Sequence, residues 1–489
     1  MLIQKTKRET AATAIAHLFF KQRMINNHLK NTLTKTAIFA FVLISSISCS
    51  GEKTETKKQV ENDPNQPTHY LGKASGKLVK AVQNNDLTLV EKLLDAGENP
   101  NGTCKGYFRG GRKKEKNDVS DKDWTLLMHA SYQNNQKLVS LLLRQKADLN
   151  AVNAAGHSAL FLACALRNEE MAAFLIEQGA DVKHAGFDAN GMSALQWALT
   201  YEWNEIAMKM IRLGADVNTG CSETGQTILL EAMSGESIRP EVIHLLIDSG
   251  ADVHQLNSKY KTSPLMLACG RNDLVSVRKI LAKQVNINQE DDQRSTALCY
   301  ASRNDTDDTE LLEILVKHGA KVNMPDAYGR NALVEAVFSK SLKKVSFLLK
   351  NGAAINRKSV GFGGVSAISE AVFDENLEMV KLLIGQGADV SMKRDNGETV
   401  LLEAIQSEKS EAIVKLLIEK GADVNRSNED KETPLMRAAR NNLPDIIKLL
   451  LDSGATKEGK DVYGRTAFDH AKETADRTGD DTVLNLLKD

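Results

Sequence analysis

Along most of this chain the apolar positions return in a fixed figure 33 to 36 residues long. Each copy opens on a hydroxyl or amide residue, carries a leucine two positions later and an alanine three positions after that. A second apolar stretch follows and ends in a pair such as Leu142-Leu143, Leu246-Ile247, Leu348-Leu349 or Leu450-Leu451, with glycine shortly beyond in most copies. A spacing of three puts leucine and alanine on one helix face. Glycine past a helix end supplies the left-handed conformation that stops the helix. The pattern therefore predicts pairs of short helices, each pair separated from the next by a protruding polar turn such as residues 423–432.

Aligned on this period, the chain shows columns with physical meaning. The opening column is Thr125, Ser158, Ser193, Thr227, Ser263, Thr296, Asn331, Ser366, Thr399, Thr433 and Thr466. Every member can accept a backbone N–H at a helix N-terminus. The apolar column is Leu in most copies, with Ile368 and Phe468 as variants. The alanine column has no exception from Ala130 to Ala471, so neighbouring helices must approach too closely for a larger side chain. The closing phrase, typified by Gly421-Ala422-Asp423-Val424-Asn425, has its alanine at 147, 180, 215, 251, 320, 353, 388, 422 and 455. A degenerate copy around Val285 fills the one wide gap. Self-similarity at such a period marks a stack of supersecondary units, each burying itself against its neighbours.

The unit resembles the ankyrin repeat. The residues that carry the likeness include Asp326-Ala-Tyr-Gly329-Arg-Asn-Ala-Leu-Val-Glu-Ala336, Glu432-Thr433-Pro434-Leu435-Met436-Arg437-Ala438 and Asp461-Val-Tyr-Gly464-Arg-Thr466. The resemblance implies an all-α ankyrin repeat solenoid of about twelve helix-turn-helix units with protruding hairpin-like fingers. It covers residues 71–489: a terminal repeat at 71–101, an insertion at 102–120, internal repeats over 121–460 and a closing repeat at 461–489. One departure is systematic. The family's histidine position holds Met128, Phe161, Gln196, Leu230, Met266, Cys299, Val334, Ser369, Leu402, Met436 and Asp469. That puts in doubt the inter-repeat hydrogen bonding credited to the histidine, though not the fold.

Composition narrows the chemistry. Charged residues make up 26% and aromatics 5% of the 489 residues, which fits a soluble chain with an aliphatic core. Net charge is −1, and residues 1–48 alone hold seven basic residues against Glu9, so the remainder is mildly acidic. Such a body has no electrostatic footprint for nucleic acid. None of the catalytic or phosphate-binding signatures His-Glu-x-x-His, Gly-x-Ser-x-Gly or Gly-x-x-x-x-Gly-Lys-Ser/Thr occurs. Gly361-Phe-Gly-Gly364 is glycine-rich but lacks the lysine, and is read as a long finger. The cysteines, at 49, 104, 164, 221, 269 and 299, lack zinc-site spacing, and no histidine cluster accompanies them. The expectation is a non-enzymatic protein without cofactor or metal.

The N-terminus reads as an address. Residues 36–48 (TAIFAFVLISSIS) are apolar or small, with Lys30 and Lys35 upstream and Cys49 downstream, the order of a secretory signal. Met24 gives such a signal ordinary length and is read as the start. Ser46-Ile47-Ser48-Cys49 resembles a bacterial lipoprotein lipobox, departing at the first position, where that family has leucine. The likeness implies a signal over 1–48, lipidation of Cys49, a polar linker over 49–70, and a chain anchored in the bacterial cell envelope, facing the periplasm or cell surface. A plain secretion signal is the alternative.

Solenoids present an extended concave surface, and function lies in its exposed positions. The position before the alanine column is expected to line it, which makes Trp197, Glu231, Tyr300, Glu335, Glu370 and Glu403 candidate partner-binding residues, together with Tyr201, four residues from Trp197 on the same face. Aromatics on an accessible face are typical interface anchors. Partial burial of Trp197 between repeats is the alternative. Glu335, Glu370 and Glu403 fall in consecutive repeats and predict an acidic row that meets a basic partner, or else a solvated face. Charge reversal there should weaken partner binding and flatten its salt dependence. The basic insertion around Cys104-Lys-Gly-Tyr-Phe-Arg is read as contacting anionic lipid or an acidic protein, or as a solvated loop. The function expected is a protein-binding scaffold, membrane-tethered, or in the alternative a secreted effector binding host proteins.

Overall fold

The computed structural model describes residues 72–104 and 123–488, apart from residues 154, 184–185, 187–190, 222–225, 236, 361–362 and 407–409. The expected signal segment with Met24, the lipidation site Cys49, the linker over 49–70 and most of the insertion lie outside the described residues. The described part contains 24 helices in twelve consecutive pairs, from Gly76–Gln83 with Leu87–Asp95 to Ala467–Thr478 with Thr482–Leu487. A typical pair is Ala332–Phe338 and Leu342–Lys350. No described helix is long and apolar enough to cross a membrane.

Helices of seven to nine residues are too short to persist alone in water, so caps and stacking must hold them. The opening column supplies the caps. Thr125 Oγ1 accepts from the Met128 N–H at 3.2 Å, Asn331 Oδ1 from Val334 at 3.2 Å and Thr466 Oγ1 from Asp469 at 3.3 Å. Each is worth about 1 kcal/mol. Thr296 departs from its column: its hydroxyl lies 3.6 Å from Cys299 Sγ and caps nothing. First helices pack against first helices of the next pair, and second against second. The alanine column forms the seam, at most 5% exposed from Ala130 to Ala471. The leucine column is equally deep, except that Phe468, in the last pair, is 36% exposed.

Two left-handed positions punctuate each regular repeat. Gly179, Gly214, Gly250, Gly319, Gly352, Gly387, Gly421 and Gly454 end their second helices with φ between 83° and 93°. Lys146 (φ 64°) and Gln284 (φ 58°) hold this conformation without being glycine. The turn inside the pair also needs a left-handed residue, and the period did not reveal it. Asn85, Asn134, Arg167, Glu202, Asn272, Lys340, Glu375 and Asn442 take φ between 51° and 62° there. Three pairs replace this tight turn by a longer connection, at 235–239, 304–309 and 405–410. In each, a side chain from the next repeat takes up the freed carbonyls. Arg271 donates to Gly235 O (2.8 Å) and Ile238 O (3.1 Å), and Asn441 Nδ2 donates to Ile405 O (3.0 Å). Lys344 is fully buried and donates to Asn304 O (2.7 Å) and Ala301 O (3.2 Å), with its pKa lowered by burial.

The bonding that the missing histidine leaves in doubt is made elsewhere. Where the closing phrase keeps its asparagine, that residue ties its repeat to the next. Asn218 Nδ2 donates to Gly250 O (3.0 Å) while its Oδ1 accepts from Asp252 N (2.8 Å). Asn323 and Asn425 repeat the arrangement with Gly352 and Gly454. Finger tips from residue 260 onward are chained by single backbone bonds, such as Ala327 N to Gln293 O (2.7 Å) and Val360 N to Tyr328 O (2.6 Å). Two antiparallel pairs modify the all-helical expectation: Thr103–Cys104 with Trp124–Thr125, and Gly220–Cys221 with Gln226–Thr227. Thr103 also bonds back to Gly72 and Ala74 (3.0 and 3.1 Å), so both ends of the insertion are pinned to the first repeat. Gly102 is required there, because a Cβ would lie 2.6 Å from the Ala74 Cα.

Candidate partner-binding face

The column before the alanines lies deeper than the sequence suggests. His129, Leu162, Glu335, Glu370, Glu403 and His470 are all at most 5% exposed. Trp197, Glu231, Leu267, Tyr300 and Arg437 are half-exposed. The cause is geometric. A helical side chain leans toward the N-terminus and covers the turn before its own Cα, so the residue three positions later covers this column. In the repeats of Glu335 and Glu370 that residue is Phe338 or Phe373. In those of Trp197, Glu231 and Leu267 it is Thr200, Ser234 or Gly270, all three exposed. The accessible row of the first helices is therefore the one two residues after the alanine. The alignment contains that row, but its exposure follows from side-chain direction rather than from period.

The expected acidic row is corrected accordingly. Glu335, at 3% exposed, accepts from Arg303 Nε at 2.8 Å and faces Arg330, itself bonded to Asp326 at 2.8 Å. Glu403 is in direct contact with the Arg394 guanidinium, and burial still pushes its pKa up to about 8 against that pull. Glu370 has no ion-pair partner among the described residues, and its Oε2 makes no hydrogen bond there. Burial, reinforced by Asp374, pushes it up to about 7. The three carboxylates do not form an open row for a basic partner, because each is sealed under its own repeat and two are matched to the chain's own arginines. The ladder continues through Glu398 and Glu432 on Arg437 (2.7 and 2.5 Å) to Asp461 on Arg465 and His470 (3.0 and 3.1 Å).

The half-exposed members other than Arg437 instead form one open segment over four successive repeats. Trp197 and Tyr201 stack with ring centres 5.5 Å apart and planes 24° from parallel, as their spacing predicted. Trp203 closes on Tyr201 from another side at 5.2 Å, and the Arg167 guanidinium lies 5.1 Å from the Tyr201 ring centre. One repeat on, Thr200 Oγ1 donates to Glu231 Oε1 at 2.5 Å, and burial raises the Glu231 pKa. Glu231 forms no salt bridge among the described residues. Leu267 follows in the same column and lines a cleft of about 590 Å³ with Leu230, Ser234, Lys259 and Tyr260. Tyr300 ends the segment, its hydroxyl donating to Asp291 Oδ2 at 2.8 Å. The Tyr300 ring lies close beside Gly270, where a Cβ would meet it in ordinary contact at 3.5 Å.

Among the described residues no group of three His, Cys, Asp or Glu side chains could hold a metal ion. His244, Asp273 and Ser276 come together in a way that suggests a triad, but both His244 Nε2 (3.0 Å) and Ser276 Oγ (2.6 Å) bond the same carboxylate. The imidazole therefore does not face the hydroxyl, and Asp273 serves as a helix cap. Cys164, Cys269 and Cys299 are buried free thiols with raised pKa values.

Comparison with known proteins places this geometry. A family model described as ankyrin repeats (three copies) matches residues 78–186, 239–326, 265–359 and 368–472. The chain is 26% identical over 288 residues to the ankyrin repeat and KH domain-containing protein mask-1 of Caenorhabditis elegans, covering 58% of this chain and 10% of that protein. It is 23% identical over 291 residues to human transient receptor potential cation channel subfamily A member 1, covering 57% and 24% respectively. A putative ankyrin repeat protein of fowlpox virus, FPV022, is 24% identical over 297 residues, 58% of this chain and 48% of that one. The chain thus spans about a tenth of the length of the first of these relatives. The crystal structure of the human ASB11 ankyrin repeat domain aligns with a TM-score of 0.40 and 27% identity, over 46% of this chain and 96% of that one.

Proposed function

The chain belongs to the ankyrin repeat family, and from that premise we propose that it is a non-enzymatic scaffold that holds a protein partner on the open segment from Trp197 to Tyr300. The observation that carries this is the run of four repeats in which the column before the alanines is uncovered, against the sealed column that follows. Half-exposed aromatics beside a cleft are the groups a protein interface uses as anchors. Tyr260, 50% exposed on a finger, extends the same surface. Ankyrin repeats mediate protein–protein interaction as a family, and fold by itself does not fix the partner.

The tether is part of the same reading. The apolar run before Cys49 supports a lipid-anchored chain in a bacterial envelope, with residues 49–70 as spacer. A secreted effector acting on host proteins is the second reading, favoured by a plain cleavage site. Photo-crosslinking in intact cells tests the surface. A crosslinker at Thr200 should capture a protein, whereas one at Glu177, exposed on a second helix, should not. Capture from Glu177 alone overturns the assignment. Mass spectrometry of the mature N-terminus tests the tether: an acylated Cys49 supports it, and an unmodified terminus elsewhere removes it.

A further inference from the structure

Glutamates occupy one column in four repeats, yet the chain provides for them unequally. Glu335 and Glu403 have arginines of this chain in contact, and Glu370 is sealed without one. Glu231 alone combines partial exposure with the lack of an ionic partner among the described residues. Its one side-chain bond is from the Thr200 hydroxyl, which leaves acceptor sites on the carboxylate. The arginine one repeat on cannot serve it. Arg271 is committed to carbonyls at Met233, Gly235 and Ile238. Arg167, two repeats back, lies over the Tyr201 ring. A mostly desolvated carboxylate without a cation is unfavourable in the free protein and gains most from a partner that brings one.

The surroundings say what kind of cation fits. One repeat back, in the same column, stands the Trp197–Tyr201 stack, an aromatic surface for a guanidinium plane or an alkyl stem. In the other direction, Leu267 and Ser234 open into the cleft, with room for the flanking residues of an extended segment. Arginine suits this seat better than lysine, since a planar fork can bond a carboxylate while stacking on a ring. We propose that Glu231, with Trp197 one repeat back in its column, is the specificity seat of the open segment and receives an arginine side chain from an extended segment of the partner protein. This rests on the reading of that segment as a protein-binding face.

The test uses the full chain and a phage-displayed library of random 12-residue peptides. Counter-selection on Thr200→Arg/Ser234→Arg, whose bulk covers the segment, keeps only peptides that need it open. The selected peptides should share an arginine. Replacing it by citrulline should weaken binding to the wild-type chain at least ten-fold and leave binding to Glu231→Gln unchanged. Glu231→Gln is isosteric, and an unaltered circular dichroism spectrum establishes that it folds. Peptides without a common arginine, or an equal citrulline effect on both chains, overturn the seat while the open segment stands as a binding face. If no peptide survives counter-selection, both readings fall together.

Discussion

The repeats from Trp197 to Tyr300 and those from Glu335 to Glu403 use the same column of the same unit, and come out opposite. In the first group the column is half-open and mainly aromatic or aliphatic. In the second it is sealed and acidic. The backbone does not separate them. What does is the next residue on the same helix face, small in three of the four repeats of the first group and phenylalanine in two of the three repeats of the other. A cover that excludes water turns a glutamate from a surface charge into a buried one, and a buried charge has to be matched within the chain. The arginines at 303, 330 and 394 are that match. Where the cover is missing, Glu231 keeps partial access and has no such partner. One region is organised for its own stability and the other is left incomplete.

The largest effect on this contrast should come from Arg394→Leu. It strands Glu403, 5% exposed, without its cation, and should lower stability by about 3–5 kcal/mol in urea unfolding at pH 9, above the folded pKa of about 8, where the carboxylate is ionised. A loss under 1 kcal/mol would mean that Glu403 is carried neutral and needs no partner. Glu370→Gln should act in the other direction. The folded pKa of about 7 lies above the ordinary 4.5, so the folded state holds a proton that the unfolded state has lost, and stability falls as pH rises through that window. The glutamine variant escapes this loss. It should match the wild type below pH 4.5 and exceed it by up to about 3 kcal/mol above pH 7. A constant difference at all pH values would remove the assignment.

Phe373→Ser exchanges the cover of one region for that of the other. It should cost about 2 kcal/mol in lost burial and let water reach Glu370, whose titration, followed by carbonyl infrared difference spectra, should move down toward 4.5. No movement would show that the phenylalanine does not seal the column. The smallest effect concerns a turn inside the first group, between the repeats of Leu267 and Tyr300. Gln284→Gly relieves a left-handed non-glycine residue (φ 58°) and should stabilise by about 0.5–1 kcal/mol, read as a higher urea midpoint. A lower midpoint would mean that the lost side chain outweighs the relieved strain.

The repeat itself was legible because its signals are local. A cap reaches the N–H three residues on, as Ser366 reaches Ser369, and an alanine or a left-handed glycine imposes its requirement on its immediate backbone. Even so, Thr296 turned to a sulfur, and the asparagine bonds across repeats appeared only as a recurring letter. Nothing in the period singles out Lys344, yet it fills the bend at residues 301–304 of the repeat before.

Periodicity and capping chemistry thus determined the units, their order and the seam along which they stack, since those depend on contacts within a few residues or on one repeated requirement. Depth at a given position, and which acid meets which base, came from side chains about 30 to 40 residues apart in the chain. Burial is a property of everything that leans over an atom, and stacking brings together neighbours that no single repeat contains.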